Sequence, residues 1–398
     1  MSDNTKVILK RDKEKSLLRF HPWVFSGAVH GVTGELNDGD IVDVYDADKN
    51  FLASGHYQKE GSIVVRIFSF VKTNIDNDFW KAKLSDAIAL RKRIGLFDNK
   101  QSNAFRLVHG EGDEMPGLVI DYYNGVTVIQ FHSFGMYLLK DVFTQLLVEL
   151  LADNLIAVYN KSSSTLPRDN KEHSKDEYLY QKSPFDNIIT EYGNQYYIDI
   201  VEGQKTGFFI DQKESRKLLE NYCNNANVLN MFCYTGGFSV AALKGNATLV
   251  HSVDSSVKAI DLTNKNIELN FGSTTKHQSF STDAFDYLDE LKKDFYDVII
   301  LDPPAFSKHL QSKEKGLKGY KNINNKAFFN IKKGGIVFTF SCSQAVSKEE
   351  FRTMIFSAAA NSGRKVKIIH QLTQGADHPI NIYHPEGEYL KGLALYVE

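Results

Sequence analysis

The spacing of apolar residues changes character along the chain. Over residues 1–72 apolar and polar positions alternate in short runs, as in IVDVYDAD (Ile41–Asp48), and SIVVRIFSF (Ser62–Phe70) is β-branched and aromatic. A period of two belongs to strands. Glycines at 31, 34, 39, 55 and 61 interrupt the runs, which predicts a small β-rich module, a closed or half-closed barrel. From Asp78 to Gly95 the apolar positions (Phe79, Ala82, Leu84, Ala87, Ile88, Leu90, Ile94) follow a helical period between lysines and arginines. GLVIDYYNGVTVIQF follows, with Asn124-Gly125 as a two-residue hairpin turn. Next come an amphipathic helix over Met136–Ala152, a strand over Leu155–Asn160 and a polar surface loop over Lys161–Glu177. These elements predict a second, small α+β domain at 73–182.

From about residue 183 strand-like runs alternate with helical ones. NVLNMF precedes FSVAALKG, TLVHSVD precedes SSVKAIDLTNKNIELN, and HQSFSTD precedes AFDYLDELKK. DVIILD then precedes a helix over Tyr320–Ile331, and IVFTFS precedes KEEFRTMIFSAAANSG. Five β–α units predict an α/β, doubly wound Rossmann-like sheet over 183–398. Ligands in such sheets bind beyond the carboxyl ends of the strands, where the strand order switches. The residues closing each strand are therefore the candidates for chemistry.

The 398 residues suit two or three domains. With 42% hydrophobic and 24% charged residues the composition is that of a globular chain, not a disordered one. No apolar run is long enough to span a membrane, and the N-terminus lacks the apolar core of a signal peptide. Three cysteines, Cys223, Cys233 and Cys342, make a disulfide framework unexpected and point to a reducing cytoplasm. No Cys/His cluster has zinc-ligand spacing, so no metal is expected. The net charge of −2 carries no whole-chain sign of nucleic-acid binding.

The first strand closes at Asn230-Met-Phe-Cys-Tyr-Thr-Gly-Gly-Phe238. Its paired glycines either let the backbone approach a ligand or serve a packed turn. The fingerprint G-x-G-x-x-G is absent there, which counts against NAD or FAD. Asp254 closes the second strand, where a carboxylate can accept both hydroxyls of a ribose or cap a helix beside Ser255. Asp283, followed by Ala284 and Phe285, closes the third. It suits an adenine amino group with an aromatic cover, or again a cap. Three such ends in register point to one adenosine-containing ligand.

The fourth strand closes at Asp302-Pro303-Pro304-Ala305-Phe306. The prolines cannot continue the ladder and fix an extended wall, with Phe306 available to stack on a flat ring. D-P-P-x-[FYW] in this position is characteristic of methyltransferases acting on nucleobases or similar planar groups. The fifth strand closes at Ser341-Cys342-Ser343, where a thiolate would face the same crevice as a nucleophile toward an electron-poor ring carbon. Cys223 is expected to be a buried hydrophobe and Cys233 to line the pocket. Between Ala305 and Gly335 stand eight lysines (308, 313, 315, 318, 321, 326, 332 and 333) against one acid, Glu314. This local excess suits phosphate contacts. Lys6, Lys10, Arg11, Lys13, Lys15 and Arg19 form a weaker basic patch.

Together these residues resemble the bacterial ribosomal-RNA large-subunit methyltransferases of the RlmI type, over nearly the whole chain. His21-Pro22-Trp23-Val24-Phe25-Ser26 is similar to the start of that family's PUA domain, and Glu111–Asp121 to its central domain. Gly203–Gln212 resembles the segment before its catalytic core. Asp377-His378-Pro379 and Pro385–Lys391 resemble its C-terminus. The resemblance implies S-adenosylmethionine as methyl donor and large-subunit ribosomal RNA as partner, and it admits a homodimer. Asn230, Phe232, Tyr234, Thr235 and Gly236 would line the methionine moiety, Asp254 the ribose, and Asp283, Ala284 and Phe285 the adenine. Phe208 and Asp211 would contribute from the preceding segment, with Asp302 also against the cofactor.

For 5-methylcytosine, Cys342 would attack C6 and Asp302 would hydrogen-bond or protonate N3. Pro303, Pro304, Phe306 and Lys308 would meet an unpaired or flipped-out base. Many RNA cytosine-C5 enzymes carry a second cysteine near the Asp-Pro pair, and this chain has none there. Uridine C5 therefore stays open as the target. So do exocyclic N-methylation of guanine or adenine, which needs no nucleophile, and a non-catalytic RNA-binding assembly factor. A nucleotide-dependent oxidoreductase is disfavoured by the missing glycine fingerprint.

Overall fold

The chain folds as two units, seen in a computed structural model that describes residues 5–173, 175–307 and 310–398. The first unit runs through Asn187 and takes in Ile198–Phe208 and Ala376–Gly387. The second comprises Ile188–Tyr197, Phe209–Gly375 and Glu388–Glu398.

The first unit opens with β1 (Thr5–Leu9), β2 (Trp23–Phe25), β3 (Val29–Thr33), β4 (Ile41–Tyr45), β5 (Phe51–Tyr57) and β6 (Ile63–Ser69). They form one sheet in the order β2-β6-β5-β4-β1-β3, with β1 parallel to β4 and antiparallel to β3. The alternation in β4 sends Val42 and Val44 into a core with Val7, Val24, Val65 and Ile67. Its buried Asp43 accepts a hydrogen bond from the Ser54 hydroxyl (2.7 Å).

Helix α1 (Asn77–Arg93) follows, capped by the Asp76 carboxylate on the Phe79 amide. A second sheet holds β7 (Ala104–His109), β8 (Leu118–Tyr123), β9 (Val126–Phe131), β10 (Ala157–Asn160) and β11 (Glu177–Gln181), in the order β11-β10-β9-β8-β7. Between β8 and β9, Asn124 (φ 48°) and Gly125 (φ 93°) both adopt the left-handed conformation that a tight hairpin of the primed type requires. The helix expected over Met136–Ala152 is two helices, α2 (Phe134–Leu138) and α3 (Lys140–Leu151). The chain leaves helical geometry at Leu139 (φ −93°, ψ 12°), so Met136, Tyr137 and Phe143 are buried while Leu138 stays in solvent. The segment expected as a surface loop is pinned at its start. Ser162, fully buried, donates to the Asn160 side chain (2.6 Å) and accepts from the Phe131 amide (3.0 Å). The segment ends in β11, an edge strand with only partly buried aromatics, which gave no strong alternation.

His56 on β5 is stacked against Trp80 of α1, with centroids 5.8 Å apart. Burial, with the Arg66 charge adding to it, pulls its pKa down to about 3. Unfolded, the same imidazole titrates near 6.5. Above that pH neither state binds the proton, and below it only the unfolded chain does. Stability is therefore expected to fall by up to about 1.4 kcal/mol per pH unit on acidification from 6.5 toward 3. Urea midpoints measured from pH 7 to 4 check this: His56→Phe should give a shallower decline than the parent.

The second unit begins with a hairpin, β12 (Ile188–Glu191) and β13 (Asn194–Tyr197), and helix α4 (Lys213–Leu219). Its seven-stranded sheet comprises β14 (Asn227–Met231), β15 (Leu249–Asp254), β16 (His277–Ser281), β17 (Val298–Leu301), β18 (Gly335–Ser341), β19 (Val366–Leu372) and β20 (Lys391–Val397). The order is β16-β15-β14-β17-β18-β20-β19. The first five strands are parallel, while β20 runs antiparallel to both β18 and β19. The expected β–α alternation is present, with α5 (Gly237–Lys244), α6 (Val257–Phe271), α7 (Ala284–Asp289), α8 (Lys313–Asn330) and α9 (Lys348–Ser362) following the five parallel strands. Strands β17 and β18 are buried along their whole length, as a doubly covered parallel sheet demands. The strand order reverses between β14 and β17, which sets the crevice at their carboxyl ends.

Candidate active site

The turn after β14 is built from left-handed residues: Phe232 (φ 58°), Tyr234 (φ 47°) and Gly236 (φ 76°). Helix α6 holds it. The Thr263 hydroxyl donates to the Tyr234 carbonyl (2.9 Å), and the Asn266 amide donates to that of the buried Thr235 (2.8 Å). A Cβ on Gly236 would stand 2.7 Å from the Thr263 side chain. The left-handed backbone at Gly236 (φ 76°) and its packing against α6 both call for glycine there.

Asp254 closes β15 and ties that turn to its own strand. Its two oxygens accept from the Tyr234 amide (3.0 Å) and the Ser256 amide (2.9 Å). The cap of α6 is Ser256, which accepts from the Ala259 amide. Asp283 does cap its helix, α7, through the amides of Phe285 and Asp286. Ala284 is buried beside it. Asn230 is also buried; its side-chain nitrogen donates to Ser239 (2.8 Å), which bonds Ser252 (2.6 Å), which bonds His277 (2.8 Å). That chain ties β14, α5, β15 and β16 together under the crevice.

Three aromatic rings line the strand ends. Phe306 lies 6.3 Å from Phe232 and 6.0 Å from Phe285, centroid to centroid, and packs at 4.8 Å on Tyr320 of α8. Pro303 is buried and Pro304 exposed. Asp302, just beyond β17, accepts from the side-chain amide of the buried Gln212 (3.1 Å). Next to Gln212, the Asp211 carboxylate accepts from the Tyr389 hydroxyl (2.6 Å). Phe208 belongs to the first unit, where it is buried and its carbonyl accepts from the Tyr123 hydroxyl (3.2 Å). Lys308 lies outside the described residues.

Cys342 follows β18, half-buried between the fully buried Ser341 and Ser343. The Tyr320 hydroxyl is paired with the Ser343 hydroxyl (2.9 Å). The Ser343 carbonyl accepts from the Lys391 ammonium (2.7 Å), at the start of β20. Burial pushes the thiols of Cys223 and Cys233 up to about 12, so both are protonated and inert at neutral pH. Of the three cysteines, Cys342 alone is not buried.

Residues 105–352 match the S-adenosylmethionine-dependent methyltransferase family, and residues 7–70 match the PUA-like domain. The chain belongs to the S-adenosylmethionine-dependent methyltransferases. Ribosomal RNA large subunit methyltransferase I of Alteromonas mediterranea is 38% identical over 397 residues, covering 99% of both chains. The protein of the same name from Aeromonas hydrophila is 36% identical, covering 98% of this chain and 99% of its own. Among solved structures, a SAM-dependent methyltransferase from Streptococcus mutans is 25% identical with a TM-score of 0.84, covering 98% of this chain and 100% of its own. A PUA-like N-terminal domain thus precedes a Rossmann-like methyltransferase domain, and S-adenosylmethionine is the cofactor. Among the described residues, no helix of this methyltransferase is long and apolar enough to cross a membrane.

The structure brings further residues against those expected from the sequence. Gln212, Tyr389 and Lys391 reach Asp302, Asp211 and the Cys342 loop from stretches far away in sequence. Each lies in or beside a segment carrying the family resemblance, which was the one signal available. The lysine cluster is partly neutralised in space. Lys313 pairs with Glu350, Lys326 with Asp289 and Lys332 with Asp297, leaving Lys315 and Lys318 exposed on α8.

In the first unit, His21, His384 and Glu386 place ligand atoms within 4.8 Å of one another. The His21 Nδ1 accepts the Trp23 amide proton (3.2 Å), so its Nε2 carries the ring proton toward Glu386 (3.4 Å). A nitrogen that presents a proton is not a metal ligand in that tautomer.

Proposed function

We propose that this methyltransferase makes 5-methylcytosine in large-subunit ribosomal RNA through a covalent adduct of Cys342 with C6 of the base. The names of its full-length relatives support the RNA. The observation that carries the chemistry is that Asp302 and Cys342 follow the carboxyl ends of neighbouring strands. Strands β17 and β18 lie side by side with Leu301 opposite Thr339, so both residues leave the sheet at the same end. An exocyclic amine needs no thiol for attack, whereas C5 of a pyrimidine is an unactivated ring carbon.

In this reading the turn from Phe232 to Gly236 lines the methionine part of the cofactor. Asp254 accepts from the ribose, and Asp283, Ala284 and Phe285 frame the adenine. S-adenosylmethionine supplies an electrophilic methyl group. The Cys342 thiolate forms the S–C6 bond, and Asp302, oriented by Gln212, hydrogen-bonds or protonates N3 of the enamine. C5 then gains the methyl, loses its proton to a base, and the thiolate departs with the S–C6 electron pair. Residues 1–72 provide the RNA-binding module, 73–182 connect it, and 183–398 catalyse. Lys315 and Lys318 contact phosphates beside a base flipped toward Phe306. The setting is the cytoplasm.

The test supplies purified enzyme, labelled S-adenosylmethionine and ribosomal RNA lacking its native methyl groups, followed by digestion and nucleoside mass analysis. Label in 5-methylcytosine is the expected result. Label in 5-methyluridine would keep the adduct and change the base. Label in methylguanosine or methyladenosine would overturn the reading, and binding without transfer to RNA or ribosomal particles would favour an assembly factor.

A further inference from the structure

Lys391 is a buried cation whose position the mechanism above does not explain. Its residue is 4% exposed. It pairs with Ser341 across the antiparallel β18–β20 ladder, and its ammonium reaches along the chain to the Ser343 carbonyl (2.7 Å). Those two contacts bracket Cys342. Among the described residues Lys391 makes no ion pair with a carboxylate: Glu388, three residues before it, pairs with Lys348 of α9 (3.1 Å). A buried ammonium without a counter-charge is costly. The groups that bear on its titration are Cys342 after β18 and, more weakly, Glu388. From α8, Tyr320 faces the same loop, but burial raises its pKa, so it stays neutral. Burial pulls Lys391 down to about 8, and the charges of Cys342 and Glu388 oppose that pull. The amine is therefore mainly protonated at neutral pH yet close to releasing its proton.

We propose that Lys391 is a positioning residue that acts through Cys342, its ammonium holding the sulfur as a thiolate ready to attack. Because Nζ already carries its proton, the proton lost from Sγ of the half-buried Cys342 passes to solvent water, and the charge on Nζ holds the thiolate that remains. The proposal rests on Cys342 being the attacking sulfur. It adds that the nucleophile is activated by a lysine from β20 and not by Asp302, whose carboxylate is engaged with Gln212. The same cation serves the return step, because it stabilises the thiolate that leaves C6.

The test reads the sulfur directly, without RNA. Free enzyme is alkylated with iodoacetamide across pH 5.5–9.5, and modification of Cys342 is followed by peptide mass, with Cys223 and Cys233 as buried, unreactive internal controls. In the parent protein the rate should rise with a midpoint well below the 8.5 of an ordinary thiol. Lys391→Met should move the midpoint up by a unit or more, slowing modification at pH 7 by roughly three- to tenfold for each unit. Lys391→Arg, which keeps the charge, should restore most of the rate. Cofactor binding measured alongside reports whether the variants fold. A parent midpoint at or above 8.5 overturns the proposal whatever the variants do, and so does an unchanged midpoint in folded Lys391→Met. Neither result touches the cytosine-C5 reading, which the labelled-nucleoside assay decides. Conversely, label appearing only on an exocyclic nitrogen would remove the adduct without moving the alkylation midpoint.

Discussion

Cys342→Ala should abolish methyl transfer to the pyrimidine, lowering the rate by about 10⁴-fold or more, while cofactor affinity stays within about twofold. The size of the effect follows from the target. C5 of cytosine lacks the electron density to displace a methyl group unless a nucleophile has first added at C6. Among the described residues of the second unit, the other two cysteines are buried and protonated, so neither can substitute. Cys342 stands outside the hydrogen-bond chain of Asn230, Ser239, Ser252 and His277 that holds the sheet together, so its loss should leave the fold intact. Single-turnover transfer and cofactor calorimetry on the same preparation separate the two quantities. A variant that still transfers methyl within tenfold of the parent would remove the covalent mechanism and favour an exocyclic amine as acceptor.

The parallel part of the sheet was legible because its signal is strong and local. Runs such as VIIL and GIVFTFS are continuous apolar stretches bounded by polar residues, and both strands are buried from end to end. The C-terminal pair was not legible. Strand β19 (VKIIHQL) is largely exposed at the sheet edge, and β20 pairs with it and with β18 in the antiparallel sense, outside the β–α alternation. Helix α8 starts seven residues before the expected Tyr320, because its lysine-rich turns are helical although they carry no apolar stripe.

At the site, residues that end strands were found from the sequence, because strand ends can be located from periodicity alone. Asp254, Asp302 and Cys342 are of this kind. Residues that orient them were not. Gln212 meets Asp302, and Lys391 meets the Cys342 loop, only through tertiary pairing that leaves no spacing pattern in the chain. The glycine turn shows a different limit. Its sequence fits both ligand approach and packing, and the structure adds a positive φ and a close Thr263 contact at Gly236 that no spacing pattern announces.

Arg216→Met is expected to destabilise the second unit by about 3–5 kcal/mol, the cost of leaving a buried carboxylate without its partner. Arg216 on α4 forms a two-pronged ion pair with Glu191 at the end of β12, through Nε (2.7 Å) and Nη2 (2.6 Å). Both side chains are almost fully buried, at 5% and 2% exposure. Nη2 also donates to the Phe209 carbonyl (3.0 Å), and the side-chain stem packs where a Cβ on Gly237 would sit, 3.0 Å from Cδ. One guanidinium thus joins the hairpin, α4 and the first turn of α5, just behind the glycine turn. Burial works against the Arg216 charge, but the neighbouring Glu191 outweighs it and holds the guanidinium pKa above its usual range. Removing the cation alone strands Glu191. Removing both groups in Arg216→Met/Glu191→Leu should recover much of the loss, because two apolar side chains bury without desolvating a charge. Urea unfolding of the three proteins tests this. A single variant that loses under 1 kcal/mol, or a double variant no better than the single, would show that the pair does not hold these elements together.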